Sequence, residues 1–143
     1  EKYPFVKGET IETAIYAGLL PRVLAPTKAK AGGRANFERF TGTELPETTS
    51  MDISLVGEGY ANYGKVGGIV FLFFIGVFYN LIIIKIIALS KTYPTLILWL
   101  PILFFQVIKA ETDFATVFNH FTKAALVAFI VFFGMTKILK LKM

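Results

Sequence analysis

The sequence predicts an all-α integral membrane protein, three transmembrane helices preceded by a large extracytoplasmic loop with short helices. Three observations carry this reading. Of the 143 residues, 55% are hydrophobic and 15% aromatic, with a mean hydropathy of +0.61, more apolar than a soluble domain of this length needs for its core. After Gly68 the chain consists of three apolar runs. Before it, the stretch from Leu20 is polar and segregated by charge. Arg22 to Arg39 holds five Lys or Arg against one Glu, and Glu44 to Glu58 holds four carboxylates and no cation. The chain therefore divides into an extracytoplasmic loop region, 1–64, and a three-helix transmembrane segment with a cytoplasmic C-terminus, 65–143.

The net charge of +5 comes from the apolar half. Residues 1–65 carry eight cations and eight anions, whereas residues 66–143 carry seven and two. That distribution suits membrane topology rather than a nucleic-acid groove, and no nucleic-acid partner is expected. Cysteine is absent and His120 is the single histidine, which excludes disulfide frameworks, thiolate nucleophiles and Cys-ligated or multi-histidine metal sites. No metal and no cofactor are expected.

Taken in order, residues 1–8 contain Pro4 and Gly8 and read as an irregular lead-in. Thr10 is placed to cap a short helix from Ile11 to Leu20, with Ile11, Ile15 and Leu19 on one face and Glu12 near the positive end of the dipole. This helix is too short and polar to span a bilayer and is expected to lie on apolar surface. Pro21 ends it. Ala25 to Glu47 contains Pro26, Gly32, Gly33, Gly42 and Pro46 without periodicity and reads as a long loop, of the length that is usually functional or disordered. Its two charge halves are expected to tie it down. A second short helix is expected over Met51 to Tyr63, with Ser50 as cap and Asp52 in its first turn.

The first span covers Gly67 to Leu89, roughly 34 Å at the helical rise. The second, Tyr93 to Ile108, contains Pro94 and Pro101, is roughly 24 Å long, and is expected to continue into the polar residues beyond Lys109. The third covers Phe121 to Ile138. Asn80 and Gln106 are expected to face other helices rather than lipid, and the Gly64 to Gly68 spacing predicts close helix packing. Lys85, Lys91, Lys137, Lys140 and Lys142 lie near one set of span ends, and Lys109 and Lys123 near the other, beside Glu111 and Asp113. The five-to-two bias puts the tail in the cytoplasm and residues 1–64 outside. Because the chain begins at Glu1 without an initiator Met or a signal segment, it is expected to be the C-terminal part of a longer protein, with upstream transmembrane helices of the same protein as partners.

Arg22, Lys28, Lys30, Arg34 and Arg39 then lie on the side where topology does not need them. Guanidinium groups bind phosphate bidentately and ammonium groups add compact charge, so the cluster suits a lipid-linked phosphate or diphosphate. The alternative is a solvated loop paired with its own acidic half. Glu58 is the carboxylate nearest the first span, and beside low-dielectric lipid it suits a general base for a hydroxyl. His120, near Glu111 and Asp113, is either a proton shuttle or an interfacial hydrogen-bonding group.

With Leu20-Pro21-Arg22-Val23-Leu24-Ala25-Pro26-Thr27-Lys28, then Phe40-Thr41-Gly42, then Gly57-Glu58-Gly59-Tyr60-Ala61-Asn62-Tyr63-Gly64-Lys65-Val66-Gly67-Gly68, the chain resembles bacterial O-antigen polymerases of the Wzy type and related oligosaccharide repeat-unit polymerases. Ala25 stands where that family often has an aromatic residue, and Tyr63 where it often has Phe. The resemblance implies a metal-independent, multi-pass glycosyltransferase of the bacterial inner membrane. Such an enzyme moves a growing glycan from undecaprenyl diphosphate onto the next lipid-linked oligosaccharide. It also implies that Arg22 and Lys28 hold diphosphate, and that Glu58, Tyr60 and Asn62 shape the sugar site. Lys30, Arg34 and Arg39 join the substrate-binding set on electrostatic grounds. The catalytic candidates are Arg22 and Glu58. The rivals are an O-antigen ligase, sharing the donor, and a non-catalytic membrane subunit whose basic loop binds lipid or a partner.

The lysine bias has a direct test. With cysteines placed singly at Thr43 and Ser90, an impermeant thiol reagent added to intact spheroplasts should label the first and not the second. The reverse pattern would overturn the orientation.

Overall fold

A computed structural model describes residues 4–19, 33–109 and 111–135. Among these every regular element is helical: α1 (Glu9–Leu19), α2 (Arg34–Thr41), α3 (Ser54–Ser90), a 3-10 segment (Pro94–Trp99), α4 (Leu100–Phe104) and α5 (Phe114–Phe133). Two helices, α3 and α5, are long and apolar enough to cross a membrane.

Helix α3 is not straight. Gly64 has φ 70° and ψ −171°, a backbone region essentially closed to residues with a Cβ. It separates an arm of residues 54–63 from an apolar arm of residues 65–90. The elbow is sharp enough that a Cβ built on Gly68 would lie 3.1 Å from the carbonyl carbon and oxygen of Gly59. The glycine spacing read as close helix packing is thus a close approach of one helix to itself across a bend. The helix also starts later than expected. Ile53 stands at its N-cap without a side-chain cap, and Asp52 instead accepts the Gly33 amide at 2.6 Å.

Two packed clusters hold the molecule. Tyr79, Leu103, Phe104 and Val117 form the core of the apolar half. At the other end Ile11, Ala14 and Phe114 are buried with Leu55, Phe71 and Phe118 around them. Burial of each such large side chain contributes roughly 1.5–3 kcal/mol where the alternative neighbour is water, and less where it is lipid. The second cluster corrects the face assigned to α1. Ile11 is buried, but Ile15 and Leu19 are exposed, at 37% and 60%. The helix turns Ile11, Ala14 and Gly18 toward α5, because beyond Ile11 only small residues admit the Phe114 and Phe118 rings; a Cβ on Gly18 would meet Phe118 at 2.6 Å. Thr10 is buried rather than capping, and the helix begins one residue before it.

The stretch read as a loop contains α2. Gly42, at φ 70°, closes that helix in the left-handed conformation and donates its amide to the Glu38 carbonyl, the role glycine commonly plays at a helix C-terminus. The second span expected over Tyr93 to Ile108 is a shorter apolar helical stretch, Pro94–Phe104, in two pieces. Pro94 and Pro101 limit regular structure there to the six-residue 3-10 segment and the five-residue α4. The stretch nevertheless returns the chain from one end of α3 to the other. Tyr93 packs on Phe132 late in α5 at 5.1 Å between ring centroids, the His120 ring lies 2.9 Å from the Ile102 carbonyl, and Phe104 packs on Phe121 at 5.7 Å. Helix α5 then starts at Phe114, seven residues before the predicted start of the third span. The Asp113 side chain accepts the Thr116 amide at 2.8 Å to cap it. The expected end of this span beyond residue 135 lies outside the described residues. Asn80 is exposed; its neighbour Tyr79 is the polar side chain that turns inward, 4% exposed.

Gly64→Ala would force a Cβ into a forbidden backbone region and to 3.1 Å from the Phe5 ring. It should cost about 1–3 kcal/mol, read as a lowered unfolding midpoint. An unchanged midpoint would mean that the elbow is not strained by side chains.

Candidate functional site: a carboxyl-rich aromatic pocket at the elbow

The elbow is held by Asn62, which is 1% exposed. Its Oδ1 accepts the Gly8 amide at 3.0 Å, and its Nδ2 donates to the Thr10 hydroxyl at 2.7 Å and to the Glu58 carbonyl at 2.8 Å. The backbone follows the same contact, with the amides of Val6 and Lys7 donating to the carbonyls of Ala61 and Asn62. The lead-in and α1 are thereby fastened to the short arm of α3.

Glu58, one turn earlier, is 0% exposed. Its Oε2 accepts the Phe114 amide at 2.7 Å, one of the unpaired donors at the start of α5 and favourably placed for a carboxyl group. Its Oε1 has no hydrogen-bond partner; the Thr10 hydroxyl beside it is the group whose proton can turn toward it. Glu58 and Asn62 thus join α1, α3 and α5 beneath the surface.

In front of them opens a pocket of about 580 Å³. Phe5, Phe37, Phe40 and Tyr60 supply aromatic faces, and Asp52 and Glu111 supply carboxyl groups. Tyr60 meets Phe5 edge to face at 5.7 Å. The Phe37 and Phe40 rings come from α2, three residues apart and so on one side of the helix. Asp52 holds that helix in place through Gly33. Burial, and then the charge of Asp113, raise the affinity of Asp52 for its proton, while the amides of Gly33 and Asp113 offset part of that rise.

The described arginines act within the chain. Arg34 donates to Glu38 at 3.0 Å, to the Pro46 carbonyl at 3.1 Å and to the Leu45 carbonyl. Arg39 makes a two-pronged pair with Glu9 at 2.9 and 3.1 Å and lies over the Phe40 ring. The carboxyl of Glu9 is held below its usual range by Arg39, that of Glu38 by the Leu45 amide and Arg34. Arg34 thereby ties the loop to its acidic half through the Leu45 and Pro46 carbonyls rather than through a carboxylate. Among the described residues its ion pairs run within α2 and from α2 to α1.

Of the residues singled out from sequence, Tyr60 lines the pocket, Glu58 and Asn62 lie enclosed behind its wall, and Arg34 and Arg39 are engaged by partners within the chain. Arg22, Lys28 and Lys30 lie outside the described residues. Sequence reading missed Asp52, Glu111 and the α2 rings as pocket residues. The signal for the rings was present, since Phe37 and Phe40 stand at helical spacing between glycines that can end a helix. No family model, curated protein or solved structure matches this chain.

Asp52 carries a pH signature. Its folded-state proton affinity is raised above the ordinary value of 3.8, so ionisation destabilises the folded state as pH rises through that value. Asp52→Asn keeps the acceptor for Gly33 and removes the charge. It should unfold at a higher temperature than the parent at pH 7, with the difference vanishing below pH 3.8. A variant less stable than the parent at pH 7 would show that ionised Asp52 is stabilising instead.

Proposed function

We propose that this chain is part of a multi-pass glycosyltransferase of the bacterial inner membrane that polymerises undecaprenyl-diphosphate-linked oligosaccharides, with the pocket at the elbow as its glycan site. The observation that carries this reading is the pocket's lining: four aromatic rings and two carboxyl groups, with Thr41 and Ser54 among them, along the short arm of α3. Aromatic faces pack on the C–H faces of sugar rings, while carboxyl and hydroxyl groups take the sugar hydroxyls. The motif resemblance around Glu58 to Gly68 supports the same reading. Residues 1–64 would stand outside the cytoplasm. The irregular Tyr93-to-Asp113 stretch would make the middle crossing, with Leu103 and Phe104 packed against α3 and α5 and its exposed apolar side chains covered by the upstream helices, as broken helices in a membrane require.

In the reaction, an acceptor hydroxyl attacks the anomeric carbon of the donor glycan. The new glycosidic C–O bond forms as the bond from that carbon to the diphosphate oxygen breaks, and the lipid diphosphate leaves. The hydroxyl proton passes to Asp52, the half-buried carboxyl group of the pocket. Arg22, Lys28 and Lys30 are the cations assigned to the departing diphosphate, where preorganised positive charge lowers the barrier. Glu58 and Asn62 act as positioning residues for the pocket wall. The engagement of Arg34 and Arg39 by the chain's own acceptors favours the second reading, a non-catalytic membrane subunit, because it removes two cations from the set available to phosphate.

The two readings separate in membranes supplied with an undecaprenyl-diphosphate-linked repeat unit. A glycosyltransferase should yield a ladder of lengthening products. Arg22→Lys should reduce it by about tenfold to a hundredfold, the loss of a charge-assisted bond. Tyr60→Ala should weaken use of the repeat unit at unchanged protein level. If Arg22→Lys and Tyr60→Ala both give the parental ladder, the chain is a non-catalytic subunit.

A further inference from the structure

The charges around the pocket point beyond a neutral sugar. Asp52 and Glu111 line it. Asp113 and Glu58 stand close enough behind for their charges to act on Asp52 and on one another. Among the described residues none of these four carboxyl groups has an ion-pair partner, because Arg34 and Arg39 are taken by Glu38 and Glu9. Among the described residues no Lys or Arg lines the cavity, although the Arg39 guanidinium lies over the Phe40 ring, 5.3 Å from its centroid. Glu58 adds a fully buried carboxyl group behind the wall, with Oε2 on the Phe114 amide and Oε1 beside the Thr10 hydroxyl.

The geometry separates the classes of cation. No group of three carboxyl or imidazole side chains among the described residues converges as a metal ion requires. The four rings instead offer negative π faces, which attract a large, weakly hydrated organic cation. We infer that the pocket recognises an ammonium group, held between the Phe5, Phe37, Phe40 and Tyr60 rings and the carboxylates of Asp52 and Glu111. The inference deepens the proposed function and rests on it for its first source of ligand, a repeat unit carrying a free amino sugar. A phospholipid ammonium headgroup has the same chemistry and is the second source.

The test uses the full chain in lipid discs of phosphatidylglycerol, which has no amine. Methyl glucosaminide, its N-acetyl counterpart and tetramethylammonium are titrated by calorimetry at pH 7. The aminoglycoside should bind at least about tenfold more tightly than its neutral counterpart, and added salt should narrow the gap. Glu111→Gln should reduce that preference, as should Asp52→Asn, whose retained fold is checked by circular dichroism. Glu111 is exposed, so its variant tests the pocket without touching the packed core.

Equal affinity for the charged and neutral glycosides would overturn the ammonium inference and leave the glycan reading standing. Binding of tetramethylammonium without either glycoside would sustain the inference with the headgroup as source, and remove the glycan reading. Discs containing phosphatidylethanolamine should then compete. Binding of none of the three probes would overturn both. An amine preference untouched in both carboxyl variants would place the ammonium elsewhere and overturn the assignment.

Discussion

Asn62 connects parts of the chain that are more than fifty residues apart in sequence. A buried amide has two donors and an acceptor to satisfy, and leaving one unpaired costs about 1–3 kcal/mol. Here the acceptor takes Gly8, the donors reach Thr10 and Glu58, and the position of α1 against α3 is specified as a result. Glu58 extends the network to α5. Its carboxyl group replaces the water that the Phe114 amide would otherwise need, allowing the start of that helix to be covered. The pocket has a defined shape because its floor is fixed by these polar contacts and its far wall, α2, is tied by Asp52 to Gly33.

How far the sequence could be read follows from the scale of each signal. Apolar runs are long-range and redundant, so the two long helices were legible, as was the short helix near residue 11. The middle run was read as one span although Pro94 and Pro101 stand in it, and each proline opens one of the two short pieces; nor could it be read that Tyr93 and Phe104 still pack along α5. Helix α2 was hidden because Gly32, Gly33 and Gly42 read as loop residues, although Gly42 ends a helix by adopting positive φ. The exposed positions of Ile15 and Leu19 depend on the neighbour. Ile11, Ile15 and Leu19 do share a face, but the ring-lined surface of α5 admits Ala14 and Gly18 instead.

The candidate site was legible in its position and less so in its chemistry. The segment from Gly57 to Gly68 drew attention through its glycines and its single carboxylate, and the elbow lies there. Exposure could not be read from order along the chain: Glu58 and Asn62 are one helical turn apart and face inward together, while Tyr60 between them faces the pocket. Charge was misleading for a related reason. Runs of like charge suggested a basic half facing an acidic half, whereas α2 carries its own Glu38 and meets Glu9 across from Arg39. Among the described residues the carboxyl groups nearest the pocket have no such partner.

The elbow also determines where the chain tolerates changes in length. One residue inserted between Glu58 and Asn62 would rotate one against the other by about 100°, separating α1 from α5 in a single step. One inserted beyond Gly68 would instead turn the Tyr79 face away from Phe104 and Phe121 while leaving the contacts of Asn62 and Glu58 in register. The bend therefore uncouples the rotational phase of the pocket from that of the apolar arm. Homologous chains of differing bilayer thickness should accumulate their insertions and deletions in the 69–90 stretch, with the spacing from Glu58 to Gly68 kept constant.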